Sequence, residues 1–117
     1  MTSSGAWPSV SIIMPVVNEE RHLASSVEGL LAQDYEGELD ICIAVGPSKD
    51  RTLEVAQALA AANPHITVVE NPSGRTPAGL NAAIGAGASD IVVRIDGHAM
   101  VPPDYVRTGV QIGRAHV

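Results

Sequence analysis

Four short runs of β-branched and other apolar residues recur along this chain, and segments with helical spacing separate them. The runs cover residues 10–17, 39–45, 66–69 and 91–95. Such runs are typical of strands that a sheet buries on both faces. Strands alternating with helices favour an α/β fold: an open, mostly parallel, Rossmann-like sheet with right-handed crossovers and helices on both faces. Ligands bind such sheets beyond the carboxyl ends of the strands.

The segments after the first two runs carry helix start signals. Asn18 is predicted to cap a first helix, with Glu19 and Glu20 in its first turn and an end near Gln33. Asp50 is predicted to cap a second helix. The predicted inner faces of the two helices are Leu23, Val27, Leu30 and Leu31, and Leu53, Ala56, Leu59 and Ala60.

Proline and threonine mark the remaining helix boundaries. Asn63 before Pro64 ends the second helix. Thr76 followed by Pro77 predicts the start of a third helix, and residues 102–105 (PPDY) predict the start of another.

The charge and the apolar pattern exclude several classes of protein. A net charge of −6 argues against a nucleic-acid binder, and a phosphate-bearing ligand would need a metal ion or a few arginines at its own site. No apolar run is long enough for a membrane-spanning helix, and the amino terminus does not resemble an export signal. The single cysteine, Cys42, lies in an apolar run and is predicted to be a buried core residue.

The strongest local signal for chemistry is Asp96-Gly97-His98, at the end of the fourth run. Residues two apart in an extended segment point the same way, and a carboxylate with an imidazole suits Mn²⁺ or Mg²⁺ whose other ligands are phosphate oxygens and water. The alternative is an ordinary turn, since Asp-Gly is a common turn dipeptide. Neither a P-loop nor a dinucleotide-binding glycine motif is complete in the chain.

Four motifs together resemble those of family 2 glycosyltransferases, in order and in spacing. They are residues 10–20 (VSIIMPVVNEE), 48–52 (SKDRT), 79–81 (GLN) and 96–98 (DGH), and the resemblance covers residues 9–106. Residues 74–81 (GRTPAGLN) with 96–98 look most like the succinoglycan-type exopolysaccharide glucosyltransferases.

The resemblance implies a GT-A fold that uses a nucleotide-sugar donor, with a UDP-sugar favoured, and a divalent metal, Mn²⁺ or Mg²⁺. Asp96 and His98 are the implied metal ligands, with His98 where the family usually has a second Asp. The implied nucleotide-sugar-binding residues are Pro15, Val17, Asn18, Glu19, Asp50, Arg75, Asn81 and Asp96. The acidic residue that commonly reads the base after the second strand is replaced by Val45 or Gly46, so the donor base stays open.

The reaction implied is inverting transfer of a sugar to a polysaccharide or lipid-linked acceptor. The metal at Asp96 would stabilise the departing diphosphate, and Arg75 and Arg94 would either add positive charge or pair with surface carboxylates. The family draws its general base from farther along the chain, so no catalytic residue is expected here. By this resemblance the chain is expected to be an amino-terminal fragment that is inactive on its own. A cytoplasmic location is expected, with any membrane association made by downstream sequence at the inner face of the cell membrane.

Two other classes of α/β protein remain open. A non-catalytic nucleotide-binding or receiver-like module also has acidic residues after its first and fourth strands. A sugar nucleotidyltransferase has the same architecture but needs a glycine-rich, basic loop where this chain has Asn18-Glu19-Glu20.

The chain divides into three expected parts. Residues 1–8 are a flexible leader and residues 9–111 a partial nucleotide-sugar-binding domain. Residues 112–117 (IGRAHV), read back as ATC GGA AGA GCA CAC GTC, resemble a short-read sequencing adapter, so they are expected to be non-native.

Overall fold

The computed structural model describes the backbone of residues 7–70 and 90–115, and the side chains of residues 7–70 and 90–111. Within that part of the chain, four parallel strands form one sheet in the order β3-β2-β1-β4. The strands are β1 (Val10–Val16), β2 (Leu39–Val45), β3 (Ile66–Glu70) and β4 (Ile91–Arg94). The predicted parallel α/β fold is confirmed, and each predicted strand lies within one residue of its observed bounds.

The described helices are α1 (Leu23–Leu31), α2 (Thr52–Ala62) and α3 (Tyr105–Ala115). The predicted end of α2 at Asn63 is confirmed, because that residue is extended and closes the helix. The predicted third helix from Thr76 lies outside the described residues. Helix α3 includes residues 112–115, and both the adapter origin of the tail and the domain limits stay predictions.

The prediction that Asn18 caps α1 is wrong. Helix α1 begins at Leu23 with His22 as its N-cap, and neither predicted glutamate lies in its first turn. Asn18 instead adopts a left-handed backbone conformation with φ of 54°. Its side-chain oxygen accepts a hydrogen bond from the Lys49 backbone N–H at 2.7 Å, so the local signal for a helix cap serves a contact between two loops.

Asp50, the predicted N-cap of α2, lies one residue before the observed N-cap. Arg51 is the N-cap residue, and its side chain makes no capping hydrogen bond. The Asp50 carboxylate accepts the Thr52 backbone N–H at 3.0 Å and so provides the acidic partner at this helix end.

The core lies where β1 and β2 pack against the helices. Five successive residues of β2, from Ile41 to Val45, are buried, and the predicted burial of Cys42 is confirmed. Burial raises the pKa of the Cys42 thiol. The predicted inner face of α1 is confirmed at three of its four positions, Leu23, Val27 and Leu30, whereas Leu31 is 44% exposed.

The strand order defines where a ligand site belongs. The chain passes from β1 to β2 to β3 in one direction and then returns to β4 on the other side of β1. The carboxyl ends of β1 and β4 therefore flank a topological switch point, where open α/β sheets bind their ligands. Across residues 7–70 and 90–115, no helix is long and apolar enough to cross a membrane.

Two adjacent leucines of α1 test this packing. Leu30 is 1% exposed, so Leu30→Ala should lower the free energy of unfolding by about 2–5 kcal/mol through lost burial and a residual cavity. Leu31→Ala should change it by less than about 1 kcal/mol, because that side chain is largely in water. Urea unfolding of both variants measures the difference, and equal losses would contradict the orientation of α1.

Candidate functional site

The loops that follow β1 and β4 meet at the switch point. Nδ1 of His98 lies 2.8 Å from Oε2 of Glu19, although the two residues are 79 positions apart. Asp96 precedes His98 in a tight turn in which the Ala99 N–H donates to the Asp96 carbonyl at 3.1 Å. The carboxylate of Asp96 and the imidazole of His98 are more than half exposed, so both face solvent at the carboxyl edge of the sheet.

Gly97 allows the two loops to come this close. A Cβ atom at this position would lie 2.4 Å from Cγ1 of Val16 and 3.4 Å from Cγ of Glu19. The first distance is shorter than any tolerated contact, so a side chain would push β4's loop away from β1. The predicted Asp-Gly-His turn thus has a packing reason for its glycine as well as a candidate binding role.

The charges around His98 favour its protonated form. The hydrogen bond with Glu19 is the main cause that raises the pKa of His98, and the negative charges of Glu19 and Asp96 add to it. Asp96 also pairs with Arg94, whose Nη2 lies 3.6 Å from Oδ1. Arg94 therefore holds a cationic group beside the carboxylate that is the leading metal-ligand candidate.

Backbone and side-chain hydrogen bonds tie the loop after β1 to the loop after β2. The Asn18 N–H donates to the Ser48 hydroxyl at 3.1 Å, in addition to the bond that Asn18 accepts from Lys49. The Glu20 N–H donates to the Asp50 carboxylate at 3.2 Å, and the Glu20 carboxylate accepts the Arg51 N–H at 3.3 Å. We call the residues 18–20 and 48–52 the loop clasp.

Thr52 lies at the centre of the loop clasp. Its side chain is fully buried, and its hydroxyl donates to Asp50 while it accepts the Glu19 N–H at 2.8 Å. The bond from Thr52 is the main reason that the pKa of Asp50 is lowered from its ordinary value. Asp50 is thus engaged by the clasp, and this contact supports the loop that carries Glu19.

The described residues at the carboxyl edge line more than one pocket. One, of ≈ 360 Å³, lies beyond β2 and β3, and its lining includes Val45, Pro47, Leu53 and the carboxylate residue Glu70. Another, of ≈ 280 Å³, lies beyond β4, and Asp96 and Tyr105 belong to its lining. Asp96 therefore borders a cavity in addition to facing the Glu19–His98 pair.

The predicted site residues within the described part of the chain fall into three groups. Glu19 and His98 are in contact at the switch point, with Asp96 two residues before His98, while Asn18 and Asp50 belong to the loop clasp. Pro15 is half-buried within β1, and Val17, just beyond that strand, is 44% exposed. Arg75 and Asn81 lie outside the described residues.

Sequence reasoning missed the partners of these residues. Thr52 was visible only as the last residue of the motif 48–52, and its burial was not predicted. Glu70 lies just beyond the predicted third run, 66–69, whereas it ends β3 and lines a pocket. A search for acidic residues at every strand end would have found Glu70, but no local signal pairs Glu19 with His98.

The described residues offer two neighbouring donors for a divalent cation. No group of three His, Cys, Asp or Glu side chains within that part of the chain is arranged to hold a metal. A Mg²⁺ or Mn²⁺ ion commonly keeps water and phosphate oxygens as ligands and needs only one or two protein groups. The carboxylate of Asp96 and the imidazole of His98 fit that incomplete ligand set.

A parallel α/β sheet with polar and charged side chains at its switch point defines a ligand-binding α/β domain. Residues 11–112 match the family model described as Glycosyl transferase family 2, and the chain belongs to that family. Succinoglycan biosynthesis protein ExoA of Rhizobium meliloti is 36% identical to the chain over 97 residues, which are 80% of this chain and 29% of that protein. The predicted family and its succinoglycan-type resemblance are confirmed.

Solved structures agree on the fold. Mannosyltransferase PcManGT from Pyrobaculum calidifontis, in complex with GDP-Man and Mn²⁺, is similar with a TM-score of 0.73 and 29% identity, over 82% of this chain and 29% of that one. S. aureus TarS 1-349 in complex with UDP is similar with a TM-score of 0.78 and 19% identity, over 92% of this chain and 32% of that one. This chain thus spans about a third or less of each protein compared.

Removing the Thr52 hydroxyl tests the loop clasp. Thr52→Val keeps the side-chain shape but leaves the Glu19 N–H without its partner, so the free energy of unfolding should fall by about 1–3 kcal/mol. Thr67→Val is the matched control, since Thr67 is exposed on β3, and it should stay within about 0.5 kcal/mol of the wild type. Thermal and urea unfolding measure both. A neutral Thr52→Val would show that the clasp does not stabilise the fold.

Proposed function

We propose that this chain binds a nucleotide sugar and forms the donor-binding part of a glycosyltransferase. The observation that carries the proposal is the contact between Glu19 and His98, two residues from Asp96, at the switch point of a family 2 glycosyltransferase domain. The PcManGT complex with GDP-Man and Mn²⁺ and the TarS complex with UDP support a nucleotide-sugar donor and a divalent metal for this chain as well.

Asp96 and His98 would hold Mn²⁺ or Mg²⁺ together with the donor diphosphate. When bound, the cation would neutralise charge on the diphosphate as it leaves. Arg94 lies beside Asp96 and offers a second positive group to the same phosphates. These charges provide the local offset that an acidic chain of net charge −6 needs in order to bind an anion.

The donor base would occupy the ≈ 360 Å³ pocket beyond β2 and β3. Its apolar lining suits the faces of a base, whereas Asp50 is engaged by Thr52 and by the Glu20 N–H. Glu70 pairs in register with Val45 and lines the same pocket. Glu70 is therefore the carboxylate that would accept a hydrogen bond from a ring N–H of the base, in place of the acidic residue missing after β2.

The transfer itself is proposed to be inverting. An acceptor hydroxyl attacks the anomeric carbon, and the bond from that carbon to the diphosphate oxygen breaks. We assign the general base to sequence that follows the region matched here, and we expect this chain alone to bind the donor without transferring sugar. The proposed acceptor is a polysaccharide or lipid-linked glycan, and the similarity to a succinoglycan biosynthesis protein supports a polysaccharide product.

The donor site is tested by calorimetric titration of UDP-glucose into the 117-residue chain, with and without Mn²⁺. Binding should require Mn²⁺, and Asp96→Ala should weaken it by at least about tenfold, the loss that follows when even an outer partner of a metal ligand is removed. Asp40→Ala is the matched control, because Asp40 lies beside His65 at the opposite edge of the sheet and should leave binding unchanged. GDP-mannose is titrated in parallel, since the sequence does not determine which base the donor nucleotide carries.

Two results would contradict the donor site. One is a folded chain that binds neither nucleotide sugar, and the other is binding that needs no metal and survives Asp96→Ala. Metal-independent binding would favour a non-catalytic nucleotide-binding module.

A base analogue tests the role of Glu70. UDP should bind more tightly than UDP methylated at N3, which has no ring N–H to donate, by about tenfold for one hydrogen bond to a charged group. In Glu70→Ala the two ligands should bind equally. Glu54→Ala, which alters an exposed carboxylate on α2, should retain the preference. A preference that survives Glu70→Ala would exclude Glu70 as the base-reading residue.

A further inference from the structure

Glu19 is held more firmly than a surface glutamate usually is. Its N–H donates to Thr52, and its carbonyl oxygen accepts the N–H groups of His22 and Leu23 at 3.1 and 3.0 Å. Its side chain is only 18% exposed, although that of its partner His98 is 61% exposed. A fixed carboxylate against a solvent-facing ring means that Glu19 determines the position of His98, rather than the reverse.

The contact also determines which ring nitrogen of His98 is available. A carboxylate accepts hydrogen bonds, so the ring nitrogen 2.8 Å from Glu19 Oε2 carries the hydrogen, and that nitrogen is Nδ1. In a neutral imidazole the lone pair then lies on Nε2. Metal-binding histidines commonly have this arrangement, with a carboxylate on one nitrogen and the metal on the other.

We propose that Glu19 is a positioning residue that holds His98 as its Nδ1–H tautomer and leaves Nε2 to bind the metal ion of the donor complex. This inference rests on the proposed function, because it needs a cation at Asp96 and His98. It differs from the role that the family resemblance implies for Glu19, which is direct binding of the nucleotide sugar.

The pairing accounts for a departure from the family motif. His98 stands where a second Asp is usual, and a neutral imidazole carries no negative charge of its own. The carboxylate of Glu19 supplies a negative charge behind His98, on the side of the ring away from the proposed metal position. This charge raises the basicity of the imidazole ligand. Glu19 and His98 thereby act together in place of one aspartate.

Among the described residues, the titratable side chains of Asp96 and His22 also lie beside this pair. Asp96 precedes His98 in the same turn, and Nδ1 of His22 lies 3.9 Å from Oε1 of Glu19. The His22 contact is too long for a hydrogen bond, and its side chain is 64% exposed. His22 therefore provides a control imidazole beside the same carboxylate but outside the proposed metal site.

The tautomer is measured directly by long-range ¹H–¹⁵N NMR of the histidine rings in the ligand-free 117-residue chain, at a pH where His98 is neutral. The wild type should show His98 as Nδ1–H. Glu19→Ala should remove that preference, and Glu19→Gln should retain it, since the amide oxygen still accepts. His22→Gln should leave the His98 signals unchanged. Wild-type His98 as Nε2–H would overturn the proposal.

Metal affinity gives the second readout, by titration of Mn²⁺ in the presence of UDP. Glu19→Ala should weaken Mn²⁺ binding by about 10–100-fold, with partial rescue in Glu19→Gln. If Glu19→Ala binds Mn²⁺ as tightly as the wild type, only the positioning role of Glu19 is overturned. A wild-type chain that binds neither Mn²⁺ nor UDP would instead overturn the donor site, and the ligand-free spectra tell these two failures apart.

Discussion

Strand β1 pairs with β2 along one edge and with β4 along the other, in parallel on both sides. Because all strands of the described sheet run the same way, the loops after β1, β2 and β4 leave from one edge. The reversal of strand order beside β1 keeps helical crossovers from closing the space between the β1 and β4 loops. Asp96 and His98 reach solvent there, and Gly97 lets their loop approach Val16. The position of the site thus follows from strand pairing and from the absence of a side chain at Gly97.

A continuous set of contacts connects the loop clasp to the candidate metal site. Asp50 accepts from Thr52, Thr52 accepts from the N–H of Glu19, and the Glu19 carboxylate contacts His98. The Thr52–Glu19 and Glu19–His98 contacts join segments from different strand ends, so the geometry at His98 depends on β2's loop as well as on β1 and β4. A buried hydroxyl and a nearly buried carboxylate are costly to leave unpaired, which gives this set of contacts a physical reason to persist.

The strands were predictable because continuous apolar runs, such as 39–45 and 91–95, are visible in the sequence. Burial on both faces holds from Ile41 to Val45, whereas Val92 on β4 is 45% exposed. The start of α1 was not predictable from the sequence. Asn18 is a residue type that commonly caps helices, but its side chain accepts a hydrogen bond from Lys49 in another loop. Leu31 fits the helical period of Leu23 and Leu30, yet it lies at the end of α1 where the core no longer covers it. The candidate metal residues were predictable as a motif, whereas their connection to Glu19 depends on the tertiary fold.

Paramagnetic broadening of backbone amide signals by Mn²⁺, added with UDP, tests most directly whether the site lies at the switch point. Residues 17–20 and 95–99 should broaden first. Asp40 and His65 are an internal control, since their carboxylate and imidazole also meet at 3.0 Å, but near the amino-terminal ends of β2 and β3. That edge is roughly 17 Å from the site along a strand, so its signals should persist. Broadening around Asp40 and His65 with sharp signals at 95–99 would contradict a metal site at the switch point.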